Sequence, residues 1–366
     1  MAERTGSGGQ GRAFYGLAFA VLIGFVAYVG RGVIIPAVVA GFLGFFIFTL
    51  KQTIKRGPLI GRYLPDWLCY LFAFAAIGLV FLFIVDIVRD NVATLIGKAD
   101  EYETRLRDLS SQGIDFLRRL SILPEDFMGG IDELRSRALG LVRPLIAETG
   151  QVLRAVTANA VTIVLYTVFM LLERGRIFKK INLLSADAGE RRAVDAVIVD
   201  IGAMVREYIT VKTVMNLTVA AASYAIMRIV GVEFAGFWAL LIFLLNYIPI
   251  VGAISAIGAV AVFALVQPEG GGPALALLAL GLLVVAEQIM SSVVEPRLMG
   301  RSLNLSPLVI LLSLGVWGSL WGFAGALLAV PMTVTVMIIL TQFRSTRPIA
   351  ILMSDSGKIA EIKHPH

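Results

Sequence analysis

The sequence predicts an all-α integral membrane protein, polytopic and helical, with about eight membrane segments. Three observations carry that expectation. Of 366 residues, 58% are hydrophobic and 16% charged, a balance foreign to water-soluble globular domains. The apolar residues come in continuous runs of helical length, not in the alternation over about ten residues that a transmembrane barrel needs. Two of these runs, 236–266 and 306–341, overshoot a hydrocarbon core about 30 Å thick, and each is broken near its middle. They are expected as broken helices or re-entrant hairpins, and discontinuous helices at membrane depth usually line a substrate path.

Each element follows in order. Ala13 to Val29 lacks a cleavage site after its apolar part and is a retained first span. Val33 to Leu50 ends at Lys51, Lys55, Arg56 and Arg62, a basic loop that belongs in the cytoplasm and places the amino terminus there too. Leu68 to Val88 completes a three-helix amino-terminal part, 1–88. Residues 89–150 are polar with nearly balanced charge and read as extramembrane amphipathic helices, interrupted at Pro124 and Gly129-Gly130. A fourth span, within 151–173, meets the basic patch of Arg174, Arg176, Lys179 and Lys180. Segment 174–208 carries an amphipathic helix at the cytoplasmic interface, with Val194, Val197, Ile198, Ile201 and Val205 at helical spacing. Residues 209–342 form the expected transport core, and 343–366 a basic cytoplasmic tail. In the core, one helix precedes each broken stretch. If both stretches are re-entrant, the two units have inverted topology; if each crosses once, the chain has eight full spans.

The net charge of +6 does not point to nucleic acid, because the bases lie beside apolar runs. Cys69 is alone, and the two histidines, His364 and His366, end the sequence. No cofactor or metal site is expected, and buried proton chemistry must use carboxylates. A phosphate-binding glycine loop with its lysine is also absent, as is any zinc-protease motif, so an ATP-driven pump and an enzyme are both disfavoured.

Ionisable groups within the bilayer are the first candidates. Glu287, beside Gln288, follows the apolar run 275–286 and is a carrier of coupling protons or a polar group on the path; the plainer alternative is a carboxyl held neutral between helices. Asn246, Tyr247, Pro249 and Gly252 mark the first break, where Pro249 removes a backbone donor and Gly252 lets another backbone approach. A kink made for packing is the alternative. Glu295, Pro296 and Arg297 are read as a gate, with an ordinary loop salt bridge as the competing reading. Glu207 and Lys212, with Tyr208, sit at the mouth of the fifth span, where an interfacial ion pair is favoured. Arg228 and Glu233 are expected to snorkel, Asp86 to reach the far interface, and Trp317 and Trp321 to line a cavity or an interface.

Three blocks carry a resemblance. They are Asn246-Tyr247-Ile248-Pro249-Ile250-Val251-Gly252, then 294–307 from Val294-Glu295-Pro296-Arg297 to Ser306-Pro307, then Gly322-Phe323-Ala324-Gly325 through Pro331. In order and spacing the chain resembles the autoinducer-2 exporter family from about Leu171 to Leu352. Tyr208-Ile209-Thr210-Val211-Lys212-Thr213 resembles its quorum-signal exporter branch. Ile250 and Ala253 depart from the pattern, standing where polar or proline residues are frequent. The resemblance implies a homo-oligomeric, multi-pass inner-membrane protein that exports a small polar signal molecule or, in other members, exchanges sodium or lithium for protons. It adds Ser306 and Pro307 to the path.

The leading expectation is a secondary transporter exporting a small polar molecule such as autoinducer-2, seated in the lipid bilayer and coupled to protons or sodium, without nucleic acid. A sodium or lithium/proton antiporter is the alternative. A non-transporting scaffold binding a partner through 89–150 is the alternative of another class.

Overall fold

Long apolar runs without interior breakers leave the backbone no partner but itself, so they fold as helices. The computed structural model describes residues 7–57, 63–112 apart from 99, 103, 106 and 110, 159–176, 180, 188–295, 304–343 and 346–357. Helices α1 (Ser7–Val29), α2 (Arg31–Arg56) and α3 (Asp66–Gly97) open the chain. They are followed by helical residues at 100–102, 104–105, 107–109 and 111–112 and by α4 over 159–176. Then come α5 (Ala188–Val230), α6 (Ala235–Leu245), α7 (Val251–Val266), α8 (Pro273–Ile289), a π-turn at Met290–Val294, α9 (Pro307–Gln342) and α10 (Arg347–Met353). Among the described residues there is no strand, and five helices are long and apolar enough to cross a membrane. The protein is an all-α, polytopic membrane protein.

Some boundaries differ from the sequence expectation. The interfacial helix and the fifth span are one 43-residue helix, α5, with no break at position 208. Between Ala188 and Val230 there is no proline, and the only glycines are Gly189 in the first turn and Gly202, so the backbone has no reason to stop near position 208. Helix α3 runs past Val88 to Gly97, carrying Arg89 and Asp90 in its last turns. The breaks expected at Pro124 and Gly129-Gly130, and the start of the fourth span at 152, lie outside the described residues.

The chain divides into two units. One comprises 1–46, 161–205 and 303–366; the other, 47–160 and 206–302. In the first, α9 is two helices folded at Gly322, whose φ of 61° and ψ of −140° suit glycine alone. The two arms lie so close that a Cβ on Gly325 would stand 1.9 Å from the Trp317 carbonyl oxygen. Trp317 Nε1 donates to Thr333 Oγ1 across the arms at 3.1 Å. Trp321, stacked 5.3 Å from Trp317, donates through Nε1 to the Ala27 carbonyl at 2.9 Å, satisfying an orphan acceptor in the last turn of α1. The tryptophans therefore hold this unit together. Its carboxyl-terminal strap pairs Ser354 with Leu305, accepts the Ser306 N–H on Met353 O at 3.0 Å, and fixes Asn304 through Ser356.

In the second unit, α6 and α7 form the other hairpin. Its core gathers Trp238, Ile242, Ala256, Val260 and Phe263 with Ala279 and Leu283 of α8. Phe263 is the hub of an aromatic cluster, 5.1 Å from Trp238, 5.6 Å from Tyr102 and 5.8 Å from Phe234. Beyond the hairpin ends, Tyr102 donates to Glu233 Oε2 at 2.9 Å and Lys98 stands 3.8 Å from Oε1. Gln267 accepts the Glu233 N–H and donates to Gly231 O, while Arg105 donates to Gly271 O at 2.8 Å. Glu233 is thus a clasp between segment 98–105 and the hairpin base, not a side chain merely snorkelling. Burial and the Glu233 carboxylate both push the Tyr102 phenol above its ordinary range. At the other end of α3, Asp66 at the first position pairs with Lys51 and Lys55, closing the loop from α2.

Candidate functional site

Residues four apart on a helix share a face, and along α5 Tyr208, Lys212 and Asn216 are spaced that way. All three are buried, at 4%, 9% and 1% exposure, on a face that continues through Ala220, Ser223 and Met227. A polar column on an otherwise apolar helix must find partners within the protein. Asn216 finds one on α6 and Lys212 one at the end of the π-turn.

The hairpin turn supplies the first set. Asn246 closes α6 by bonding its N–H to Ile242 O, and Tyr247 and Ile248 turn back to Leu244 O and Leu245 O. That tightening leaves the Phe243 carbonyl without a helical partner, and Asn216 Nδ2 donates to it at 3.2 Å. Thr213 gives its hydroxyl hydrogen to Ile209 O at 2.7 Å, so the 2.7 Å contact with Tyr247 has the tyrosine as donor. Val251 N–H then bonds to Pro249 O at 2.7 Å around Ile250, held at φ 65° and ψ −60°. This is a γ-turn on a β-branched residue with positive φ, a strained conformation that costs about 1–3 kcal/mol and is retained where surroundings enforce it. Gly252 is the reason α7 can start there: a Cβ would lie 1.8 Å from Leu245 O. The break is a fold-back, not a packing kink.

Helix α8 and the π-turn supply the carboxylates. Asn246, 5% exposed, donates to Glu287 Oε2 at 3.0 Å. Lys212 Nζ lies 3.2 Å from Glu295 Oε1. In an unbroken α-helix residues eight apart diverge by about 80°, but a π-turn absorbs about one residue and brings them within about 20°. Glu287 and Glu295 are therefore turned to the same side, one receiving an amide, the other an ammonium. The unequal pairing matters: among the described residues Glu287 has a hydrogen bond but no ion pair.

The expected site residues thus separate. Asn246, Tyr247, Pro249, Gly252, Glu287, Lys212 and Glu295 are gathered in this unit. Gln288 is exposed and donates to Ser292 Oγ at 3.0 Å. Glu207 is exposed, so the partner of Lys212 is Glu295 and not its helical neighbour. Pro296 and Arg297, the rest of the expected gate, lie outside the described residues. Ser306 and Pro307 belong to the other unit, where Pro307 starts α9 and Ser306 is held by the strap. Sequence reasoning missed Asn216 and the roles of Thr213 and Tyr208. The spacing 208, 212, 216 was the available signal; the π-turn had none beyond the Ser291-Ser292 pair.

Apolar helices, two fold-back hairpins and a buried column of amides, hydroxyls and paired charges define a multi-pass membrane protein of the transporter class. The chain belongs to the AI-2E transporter family, whose model matches residues 17–345. It is 27% identical to a Haemophilus influenzae protein described as a candidate transport protein, over 94% of this chain and 96% of that one. It is 37% identical to the AI-2 transport protein TqsA of Escherichia coli over 55% of this chain and 57% of TqsA. YhhT of the same organism, again a candidate transport protein, is 32% identical over 54% of each chain.

Proposed function

We propose that the protein is a secondary transporter of the inner membrane that exports a small polar molecule, autoinducer-2 being the leading substrate. The observation that carries the reading is the buried column Tyr208, Lys212, Asn216 facing Asn246, Glu287 and Glu295. A chain this apolar gains nothing in stability from such a column that hydrocarbon side chains would not provide. Likeness to TqsA over about half of each chain supports the substrate. In this reading Asn246 and Tyr247 offer hydrogen bonds at the hairpin tip, Glu287 sits on the path, and the Lys212–Glu295 pair is the gate. The basic loops favour a cytoplasmic side for both termini, and the repeated order of a helix followed by a hairpin supports reading the two as an inverted repeat. The family likeness supports a homo-oligomer.

A second reading has one observation in its favour. Glu287 is a half-buried carboxylate with an amide partner and, among the described residues, no cation, as a proton or sodium carrier must be in one of its states. The protein would then be an antiporter.

The test is release of labelled autoinducer-2 from proteoliposomes containing wild type or Asn246→Ala. Release by wild type, cut about tenfold in the variant, is expected; an amide–carboxylate contact of this kind carries about 1.5–3 kcal/mol. Equal leak from protein-containing and protein-free vesicles would remove the exporter reading.

A further inference from the structure

Among the described residues every member of the column Tyr208, Lys212, Asn216 has a partner except one. Among the described residues the Tyr208 hydroxyl has no hydrogen-bond partner, and the residue is only 4% exposed. A buried tyrosine normally finds an acceptor, and phenylalanine would fill the same volume with no polar atom to satisfy. Unlike the equally unpartnered Trp238 Nε1 in the apolar core, this hydroxyl stands beside an ion pair, where a polar ligand group can meet it. Its surroundings say what kind of group that is. Lys212 is one helical turn further along the same buried face, and Glu295 and Tyr247 are near enough to act on the phenol electrostatically.

We infer that Tyr208 is a ligand-binding residue, its hydroxyl donating to an oxygen of the transported molecule at a subsite shared with Lys212 and Glu295. This rests on the exporter reading above. The chemistry narrows the ligand. Phenol and ammonium are donors and call for an acceptor oxygen, a carbonyl, ether or hydroxyl; the Glu295 carboxylate calls for a donor, such as a second hydroxyl. A small molecule with adjacent oxygens meets both, and a bare monovalent cation is opposed by the neighbouring ammonium. Binding exchanges the partners of the gate: a ligand oxygen takes a hydrogen bond from Lys212, and Glu295 turns to the ligand hydroxyl. The π-turn supports this exchange, since it is what aims Glu295 at Lys212, and such turns are frequent at functional sites. Lys212 would then sense occupancy, and Tyr208 would decide which molecules are held long enough to matter.

The experiment compares wild type with Tyr208→Phe in proteoliposomes, following initial rates of labelled autoinducer-2. The expected result is a KM raised about tenfold, a maximal rate within about twofold of wild type, and a melting temperature that is not lowered. Unchanged kinetics in a folded variant would overturn the inference, because a merely structural ring keeps its packing in phenylalanine. A second measurement decides the matter without transport, covering a wild type that moves no autoinducer-2, which would be a failure of the exporter reading, or a variant that does not fold. In a Cys69→Ala background, Tyr208→Cys and Leu283→Cys in membrane vesicles are treated with a water-soluble methanethiosulfonate. Modification of Tyr208→Cys at least about tenfold faster than of core position Leu283→Cys supports a subsite open to polar molecules. Equal, slow modification of both places Tyr208 in sealed packing and rejects the subsite.

Discussion

At the residue scale, the decisive contrasts are between groups of the same kind with different partners. Glu295 faces an ammonium and Glu287 an amide, so they are not interchangeable although both are carboxylates on one side of the same helix. Gly252 is as decisive for the opposite reason, having no side chain. With 1.8 Å between a would-be Cβ and Leu245 O, Gly252→Ala must push the hairpin arms apart and is expected to cost about 1–3 kcal/mol and to cut transport in proportion. Thermal unfolding in detergent checks this, and an unchanged melting temperature would show that the arms are looser than described. Much of this scale was legible. An acid after an apolar run, an Asn-Tyr-Ile-Pro break and a lysine at a helix mouth all stand out as residue types. Partnership was not legible: Lys212 could pair with Glu207 in the same helix, and only the fold shows that it pairs with Glu295, 83 positions away.

At the element scale, the two hairpins and the π-turn shape the molecule. The hairpins were readable because an apolar run too long for one crossing has to be interrupted, and Pro249-Ile250-Val251-Gly252 and Gly322 are where interruption is easiest. The continuous α5 was not, because a change from amphipathic to fully apolar looks like a boundary although no backbone breaker is present. The π-turn is invisible for a deeper reason: it is one residue more than the helix needs, and residue identity hardly records it. It makes a direct prediction. Deleting Ser292 should return the turn to α geometry and rotate Glu295 by about 100°, away from Lys212. Disulfide formation between Lys212→Cys and Glu295→Cys, efficient in the full-length background, should fall to background in the deletion. Undiminished cross-linking would mean that the loop, not the turn, positions Glu295.

At the scale of the whole molecule, the polar column and the clasp that fixes the base of the α6–α7 hairpin belong to the same unit, 47–160 with 206–302. The Tyr102–Glu233 bond in that clasp has a pH signature. Tyr102 holds its proton more tightly when folded than in the unfolded chain, where tyrosine titrates near pH 10, so its contribution is complete below about pH 10 and is lost as pH rises through the higher folded value. Tyr102→Phe should therefore lower stability by about 1–2 kcal/mol at pH 7 to 9, and by less above pH 10. A deficit independent of pH would contradict that sign. The central claim, that Glu287 and its neighbours form the path of a transporter, is tested most directly in proteoliposomes with an internal pH dye and labelled autoinducer-2. Wild type and Glu287→Gln are compared under imposed sodium and proton gradients. The exporter account predicts movement of autoinducer-2 by wild type, lowered in Glu287→Gln, with no sodium-driven proton flux. Sodium-driven proton movement in wild type that disappears in Glu287→Gln, with no movement of autoinducer-2, would contradict it and make the protein an antiporter.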